Sequence, residues 1–552
     1  MRTPRALLCI VVSILLTACT TIPPAAFNII DFGARPNSSA LSTGAINRAI
    51  RVASRNGGGT VVIPAGLYLT GPIELASNLT LEIGPSATLR FPAMRLPCTQ
   101  GRVQGIECLA SVPLIGGVNI ENVTIRGRGL LTTDNAQWLD LYGRPQPKTA
   151  AGAGSAFGPE WNHLLKLLQQ QTPQPAGEYL KAAPFLRPAF IRFMNCKNCT
   201  IEDVHIVGSP FWTIHALYSQ NISIHGISVE TFPGAFTGGI YIDSTRDVRI
   251  SDSYLDNGDD AITLKAGKDN DGLRVNRPTE NVAIDNCVIH RGSGAIVIGS
   301  ETSGGIRNVA VSNIVCQGTQ MGINIKSERG RGGIVENVRI DNMIMDDVGK
   351  AISVSEYYTM QGEWQGETTS GTAAASQPVS IRTPVFRDIA ISHITIDKAR
   401  GAPDFGWNPV SISGSPRQPP VTIDIEGLPE MPIANLRLGD ITAAGKGGIR
   451  VHDTENLELH HVQMMQDAGA AYLFRDSRDL VLDDISCPKP PANVPVVRIE
   501  HCVGAIVRAS RAFAGTGTFL SVRPGELAGI VLEGNVLGNA KTSTEESAGV
   551  TQ

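Results

Sequence analysis

The chain has 552 residues, 18 % of them charged and 5 % aromatic, with 58 glycines and a formal net charge of −4. So balanced a charge excludes a global electrostatic attraction to nucleic acid. Little charge with much Gly argues against helical bundles and for strands joined by tight turns, either as several domains or as one long solenoid or barrel.

Residues 1–18 are built like an export signal. Arg2 and Arg5 form a basic start, and Ala6–Leu16 is an apolar run too short for a permanent spanning helix. It ends Leu16-Thr-Ala-Cys19, which resembles a bacterial lipobox. That resemblance implies lipidation at Cys19, so the expected mature protein is anchored to a bacterial membrane, facing the periplasm or the exterior. Eight cysteines beyond Cys9 and Cys19 would then meet an oxidising compartment. Cys98 and Cys108 flank a Gly-containing loop and are the disulfide candidates. Cys196-Lys-Asn-Cys199 has no second CxxC or His pair to complete a zinc site, and neither a metal nor another cofactor is expected. Cys199, Cys287 and Cys316 lie in strand-like runs and read as buried packing.

After a tether at 19–26, Phe27–Gly33 reads as a strand and turn. Thr43–Arg55 is an amphipathic helix with Ile46, Ala49, Ile50 and Ala53 on one face, stopped by Gly57-Gly-Gly59. Strands are predicted at Thr60–Ile63 and Leu67–Leu69. A weak repeat then runs through the chain: Asn or Asp, two residues, then an aliphatic. Copies begin at Asn78, Asn122, Asn198, Asn221, Asp247, Asn281, Asn308, Asn337, Asp388, Asn435, Asn456 and Asp479. Uninterrupted copies lie roughly 21 to 34 residues apart, a solenoid period. With no helix between strands, β-α-β crossovers are impossible, but such strands can stack as coils. Asn and Asp suit the turn because they tolerate left-handed backbone. The predicted fold is all-β, one right-handed parallel β-helix over residues 27–540 with a short N-terminal capping helix. Insertions are expected at about 134–187, with a helix near Trp161–Gln171, and at about 359–382 as a polar loop. The tail 541–552 is expected to be disordered.

Within the repeats, Leu255-Asp-Asn-Gly-Asp-Asp-Ala-Ile-Thr-Leu-Lys-Ala-Gly267 reads as turn, then strand, with Asp259 and Asp260 at the junction. Neighbouring strand residues point to opposite faces, so a shared cleft requires a bend, which Gly258 makes cheap. Two close carboxylates cannot both ionise freely, and one can serve as acid while the other serves as base.

These residues resemble family-28 glycoside hydrolases, the polygalacturonase family. The resemblance rests on Gly57–Tyr68, Arg187-Pro188, Ser209-Pro-Phe-Trp-Thr-Ile-His215, Gly258–Gly267, Gly299-Ser-Glu301, Lys326–Gly333 and Ile425–Ile433, in family order over about residues 27–485. It implies inverting hydrolysis of galacturonate-containing pectin, with one Asp protonating the leaving oxygen and other carboxylates orienting water. By motif position Asp259 is the acid and Asp260 helps activate water, while Lys326 binds a substrate carboxylate. Trp212 is a candidate sugar platform and His215 its hydrogen-bonding neighbour, though Trp212 could equally pack against the next coil. Tyr358 is a further cleft candidate. Three positions depart from the family pattern: Gly238 replaces a water-positioning Asp, Ser293 a His, and Asn324 an Arg. Loss of Arg removes bidentate carboxylate recognition, and loss of a base can cost about 10² to 10⁴ in rate. Gly238 and Ser293 are expected to leave open space in the substrate site. Glu301 and Glu328 could supply a base but read as solvated turn residues. The expected partner is a pectic oligo- or polysaccharide bound by a monomer, with a non-catalytic glycan-binding lipoprotein as the alternative.

Overall fold

Each Asn or Asp that opens a repeat copy has left-handed backbone, with φ of 59° at Asn78, 58° at Asn281 and 55° at Asn456. The side chains then join coil to coil. Asn122 donates to Asn78, Asn198 to Asn122, and Asn221 to Asn198. Further along, Asn281 donates to Asp247, Asn308 to Asn281, and Asn337 to Asn308. Partners sit 21 residues apart at the shortest, Asn456 on Asn435, and 34 at Asn281 on Asp247. The aliphatic that closes each copy points inward, and Ile250, Ile284, Val311, Ile340, Ile391 and Leu438 stack in register. All six are buried, and each contributes about 1.5–3 kcal/mol relative to exposure.

The structure is a computed structural model and describes residues 25–142, 187–234, 236–358, 375–400 and 421–547. The export signal with Cys19, the helix expected at 161–171 and most of the loop expected at 359–382 lie outside them. Among the described residues, 35 strands form one continuous sheet system paired in parallel throughout, which makes the chain a parallel β-helix. The helix Thr43–Arg55 presents Ala45, Ile46, Ala49, Ile50 and Ala53 to the core. It packs on the first strands and caps that end of the solenoid.

Four features differ from expectation. The tail does not lose structure at 541: Thr542–Glu546 is a strand paired with Thr518–Val522, one more coil without the Asn-led signature. A short helix, Asp269–Val275, follows the Asp-pair strand. Cys98–Val103 and Ile106–Ser111 form the one antiparallel hairpin among the described residues. Within it Cys98 faces Ser111 and Cys108 faces Gly101. This register puts the two thiols on opposite faces of the hairpin, and they are not bonded. Cys199, Cys287 and Cys316 are buried in the core.

Candidate active site

Strand alternation builds the site. In the strands Ile240–Asp243, Ile262–Lys265 and Ile306–Lys326, Ile242, Leu264 and Ile325 point into the core. Tyr241, Asp243, Thr263, Lys265, Asn324 and Lys326 therefore share the outward face. These outward side chains are buried too, and the hairpin 98–111 reaches over the Asp243 end of the face. Arg102 Nη1 lies 2.9 Å from Asp243 Oδ1, Lys268 N donates to Gly105 O at 3.0 Å, and Glu107 N donates to Asp271 Oδ2 at 2.8 Å.

Asp259 and Asp260 lie just before the strand Ile262–Lys265. Gly258 is required there by contact: a Cβ on it would collide with Gly234 O and Thr237 Oγ1. The Asp260 N–H donates to Asp259 Oδ1 at 2.9 Å, while Asp260 Oδ2 meets Lys326 Nζ at 3.2 Å. The Lys326 strand lies two coils on from the Asp-pair strand, about 10 Å along the axis at about 4.8 Å per coil, and the Lys326 side chain closes that gap. Lys326 also lies 4.7 Å from the centre of the Tyr358 ring. Burial, then the neighbouring Asp260 charge, pushes the Asp259 carboxyl up to about 7, against the opposing pull of its Asp260 N–H bond, Lys326 and Lys265. Tyr358 and Tyr241 are both raised well above the ordinary phenol value, by burial first and the Asp charges second, so both remain neutral.

The sequence assigned no role to Lys265, although it lies inside the quoted motif. Its Nζ pairs with Glu301 and stands 5.6 Å from the Trp212 ring centre and 5.8 Å from that of Tyr241. Burial would raise the Glu301 carboxyl, but Lys265 and Arg331 outweigh it and hold it down at about 2. Glu301 and Glu328 are thus not solvated turn residues. Both are buried, paired with Lys265 and Arg331 respectively.

Trp212 is not an exposed sugar platform. It is 2 % exposed and sandwiched between Phe211, 5.1 Å away, and Tyr241 of the next coil, 4.2 Å away and nearly parallel. His215 lies beside it, with Nε2 3.7 Å from Asp243 Oδ2. Gly238 and Ser293 do not open the site either. The Tyr241 hydroxyl occupies the space beside Gly238, where a side chain would begin. Ser293 N donates to Asp259 O at 3.2 Å, and its Oγ is buried without a hydrogen-bond partner. Asn324 is buried two residues before Lys326, in register with Val297 and Ser353. The site therefore gathers Asp259, Asp260, Lys326 and Tyr358. Trp212 and His215 sit two coils earlier, since their strand pairs with Ile240–Asp243 and that one with Ile262–Lys265. Among the described residues no group of three or more His, Cys, Asp or Glu side chains is placed to hold a metal ion.

The family model for glycosyl hydrolases family 28 matches residues 181–427, the span that carries the Asp pair, Lys265 and Lys326. Over that span the chain is similar to glycoside hydrolase family 28. A probable polygalacturonase of Vitis vinifera is 28 % identical over 70 % of this chain and 77 % of its own length. An exo-poly-alpha-D-galacturonosidase of Dickeya chrysanthemi is 25 % identical over 70 % of this chain and 64 % of its own. Among solved structures, a hyperthermoactive exopolygalacturonase from Thermotoga maritima superposes with a TM-score of 0.65 at 27 % identity, covering 80 % of this chain and 92 % of that one. In this chain the Asp pair and Lys326 stand together, and the Tyr241 hydroxyl lies beside Gly238.

Proposed function

We propose that this protein hydrolyses a glycosidic bond of a pectic polysaccharide with inversion, with Asp259 as general acid and Asp260 as the group that activates water. The observation that carries this reading is the unequal environment of the two adjacent carboxyls. Asp259 is raised to about 7 and holds a proton at neutral pH, whereas Asp260 bears on Lys326 at 3.2 Å. A protonated Asp259 can supply the proton the leaving oxygen needs, and Asp260, turned instead toward Lys326, is the group assigned to the attacking water. Lys326, held between Asp260 and Tyr358, is placed to share its charge with a substrate carboxylate. Lys265 pairs with Glu301 beneath the site.

Asn324 supplies no charge, and Tyr241 fills the position beside Gly238. The missing charge at Asn324 favours a substrate other than plain polygalacturonate, with a rhamnose-containing pectic chain the better fit. The test is product release from a panel of pectic fractions by the soluble chain lacking residues 1–24, alongside Asp259→Asn. Faster turnover of unsubstituted polygalacturonate would remove the substrate part of the reading. Full activity of Asp259→Asn would move the chemistry elsewhere. The second reading, a glycan-binding protein without turnover, draws on the Tyr241 hydroxyl standing where the family keeps a carboxylate; binding without release of reducing ends would favour it. In either case the proposed monomer is anchored to a bacterial membrane, facing the periplasm or exterior, a placement supported by the lipobox-like ending at Cys19.

A further inference from the structure

The outward row of the sheet continues past the Asp pair toward the N-terminal end. Arg192 pairs in register with His215, His215 with Tyr241, and Tyr241 with Thr263. At about 4.8 Å per coil, Arg192 lies three coils, about 14 Å, from Thr263. Its side chain is 4 % exposed and tucked beneath the hairpin 98–111, where a Cβ on Gly101 would come within 3.2 Å of its Nη1. Among the described residues Arg192 has no hydrogen-bond or ion-pair partner. The hairpin turns Ala110 and Cys108 toward it, and Cys108 is no counter-charge, because burial pushes the thiol up to about 12.

Unpartnered groups cluster around it. His215, one coil on, is 2 % exposed and its Nε2 has no hydrogen-bond partner. Arg102 spends Nη1 on Asp243 and Ser244, while its buried Nε and Nη2 are unpartnered. Asp243, whose Oδ2 lies 3.7 Å from His215 Nε2 and makes no hydrogen bond, pairs with Arg102 through Oδ1 at 2.9 Å. A buried guanidinium without a partner is strongly unfavourable, and this one shares a sheet face with the Asp pair.

We propose that Arg192, with His215 and Arg102, forms a carboxylate-binding subsite for an acidic sugar unit of the substrate remote from the cleaved bond. The proposal rests on the reading that the substrate is a uronate-containing pectic chain. A guanidinium presents the planar fork that matches a carboxylate with two parallel hydrogen bonds. Asn324 lacks that fork on the Lys326 side of the site, so Arg192 moves acid recognition to the opposite end of the face. The hairpin covers this end, which makes the bound unit one near a chain terminus.

The test uses the Asp259→Asn protein, which binds without turnover, and measures calorimetric binding of galacturonate oligosaccharides and of the same oligosaccharides with carboxyls reduced to alcohols. Adding Arg192→Met should weaken the acidic ligand tenfold or more and leave the reduced ligand unchanged, and Arg192→Lys should fall between. Arg192→Met should also keep or raise the thermal midpoint, because it removes an unpaired buried charge. With Asp259 intact, Arg192→Met should raise KM on acidic oligosaccharides more than it lowers kcat. Equal loss for both ligands with a lowered midpoint would make Arg192 merely structural and overturn the proposal, as would no loss at all. Either result leaves the hydrolase reading standing. If no acidic oligosaccharide binds even with Arg192 present, the subsite and the substrate class fall together.

Discussion

The Tyr241 hydroxyl stands so close to Gly238 that no Cβ fits between them. Gly238→Asp alone should therefore not restore a water-positioning carboxylate. It should destabilise the fold by about 1–3 kcal/mol through overpacking, with no gain in turnover. Combined with Tyr241→Ala, which clears the space, the new Asp should regain stability relative to the sum of the single changes and raise activity on unsubstituted polygalacturonate. A double-mutant cycle in denaturant, read with turnover, checks this. Strictly additive stabilities would show that the two positions do not compete.

Asp259 gives the activity a direction in pH. Its value rises from an ordinary 3.8 to about 7 in the folded protein, so the folded state holds this proton more tightly than the unfolded chain. The associated stability is present in full below about 4 and is lost as pH rises to about 7. Catalysis that needs the protonated form should fall above about pH 7. Asp259→Asn should abolish hydrolysis yet stabilise the protein at pH 8, on the order of 2–4 kcal/mol, since each tenfold difference in proton affinity is worth about 1.4 kcal/mol. A pH-independent stability difference between the two proteins would contradict the assignment.

Ser293 makes a simpler case. Its buried Oγ makes no hydrogen bond, while its backbone N–H holds Asp259 O. Ser293→Ala removes an unsatisfied hydroxyl and keeps the backbone contact, so stability should be unchanged or up by about 1 kcal/mol, with kcat within about twofold. A large loss of kcat would mean that the hydroxyl touches substrate or water.

Residues 1–18 carry the expectation of a lipid anchor, and Cys19→Ala tests it. The substitution should release the protein from the membrane fraction, as measured by detergent partitioning. Partitioning identical to that of the unaltered chain would exclude the anchor.

Much of the architecture was legible because it follows from local chemistry. The Asn-led turns demand left-handed backbone, and that demand is visible in sequence at every coil that obeys it. The last coil, Thr542–Glu546, escaped because a strand without an Asn-led turn or aliphatic run carries no local mark. The Asp pair and Lys326 were legible as a motif. The contents of the Gly238 space were not, because Tyr241 reaches it only once Trp212 of the preceding coil fixes its ring. Arg192 was passed over for a similar reason. Its isolation depends on the hairpin 98–111, whose strands fall outside the repeat.

The Asn ladder itself yields the last prediction. Asn281 has φ of 58°, donates to Asp247 Oδ1 at 3.0 Å and accepts from Asn308 Nδ2 at 3.0 Å. Two effects are mixed in any substitution there: the cost of left-handed backbone and the loss of two exposed hydrogen bonds. Ala bears both, whereas Gly adopts this backbone freely and loses only the bonds. Asn281→Ala should cost about 1–2 kcal/mol in urea unfolding, and Asn281→Gly clearly less. Because a solenoid's stability is nearly a sum over neighbouring coils, the same ranking should recur at Asn308, where φ is 57°. If Ala and Gly cost the same at both positions, the ladder bonds carry the stability. If Gly costs nothing, the Asn residues stand there for their backbone alone.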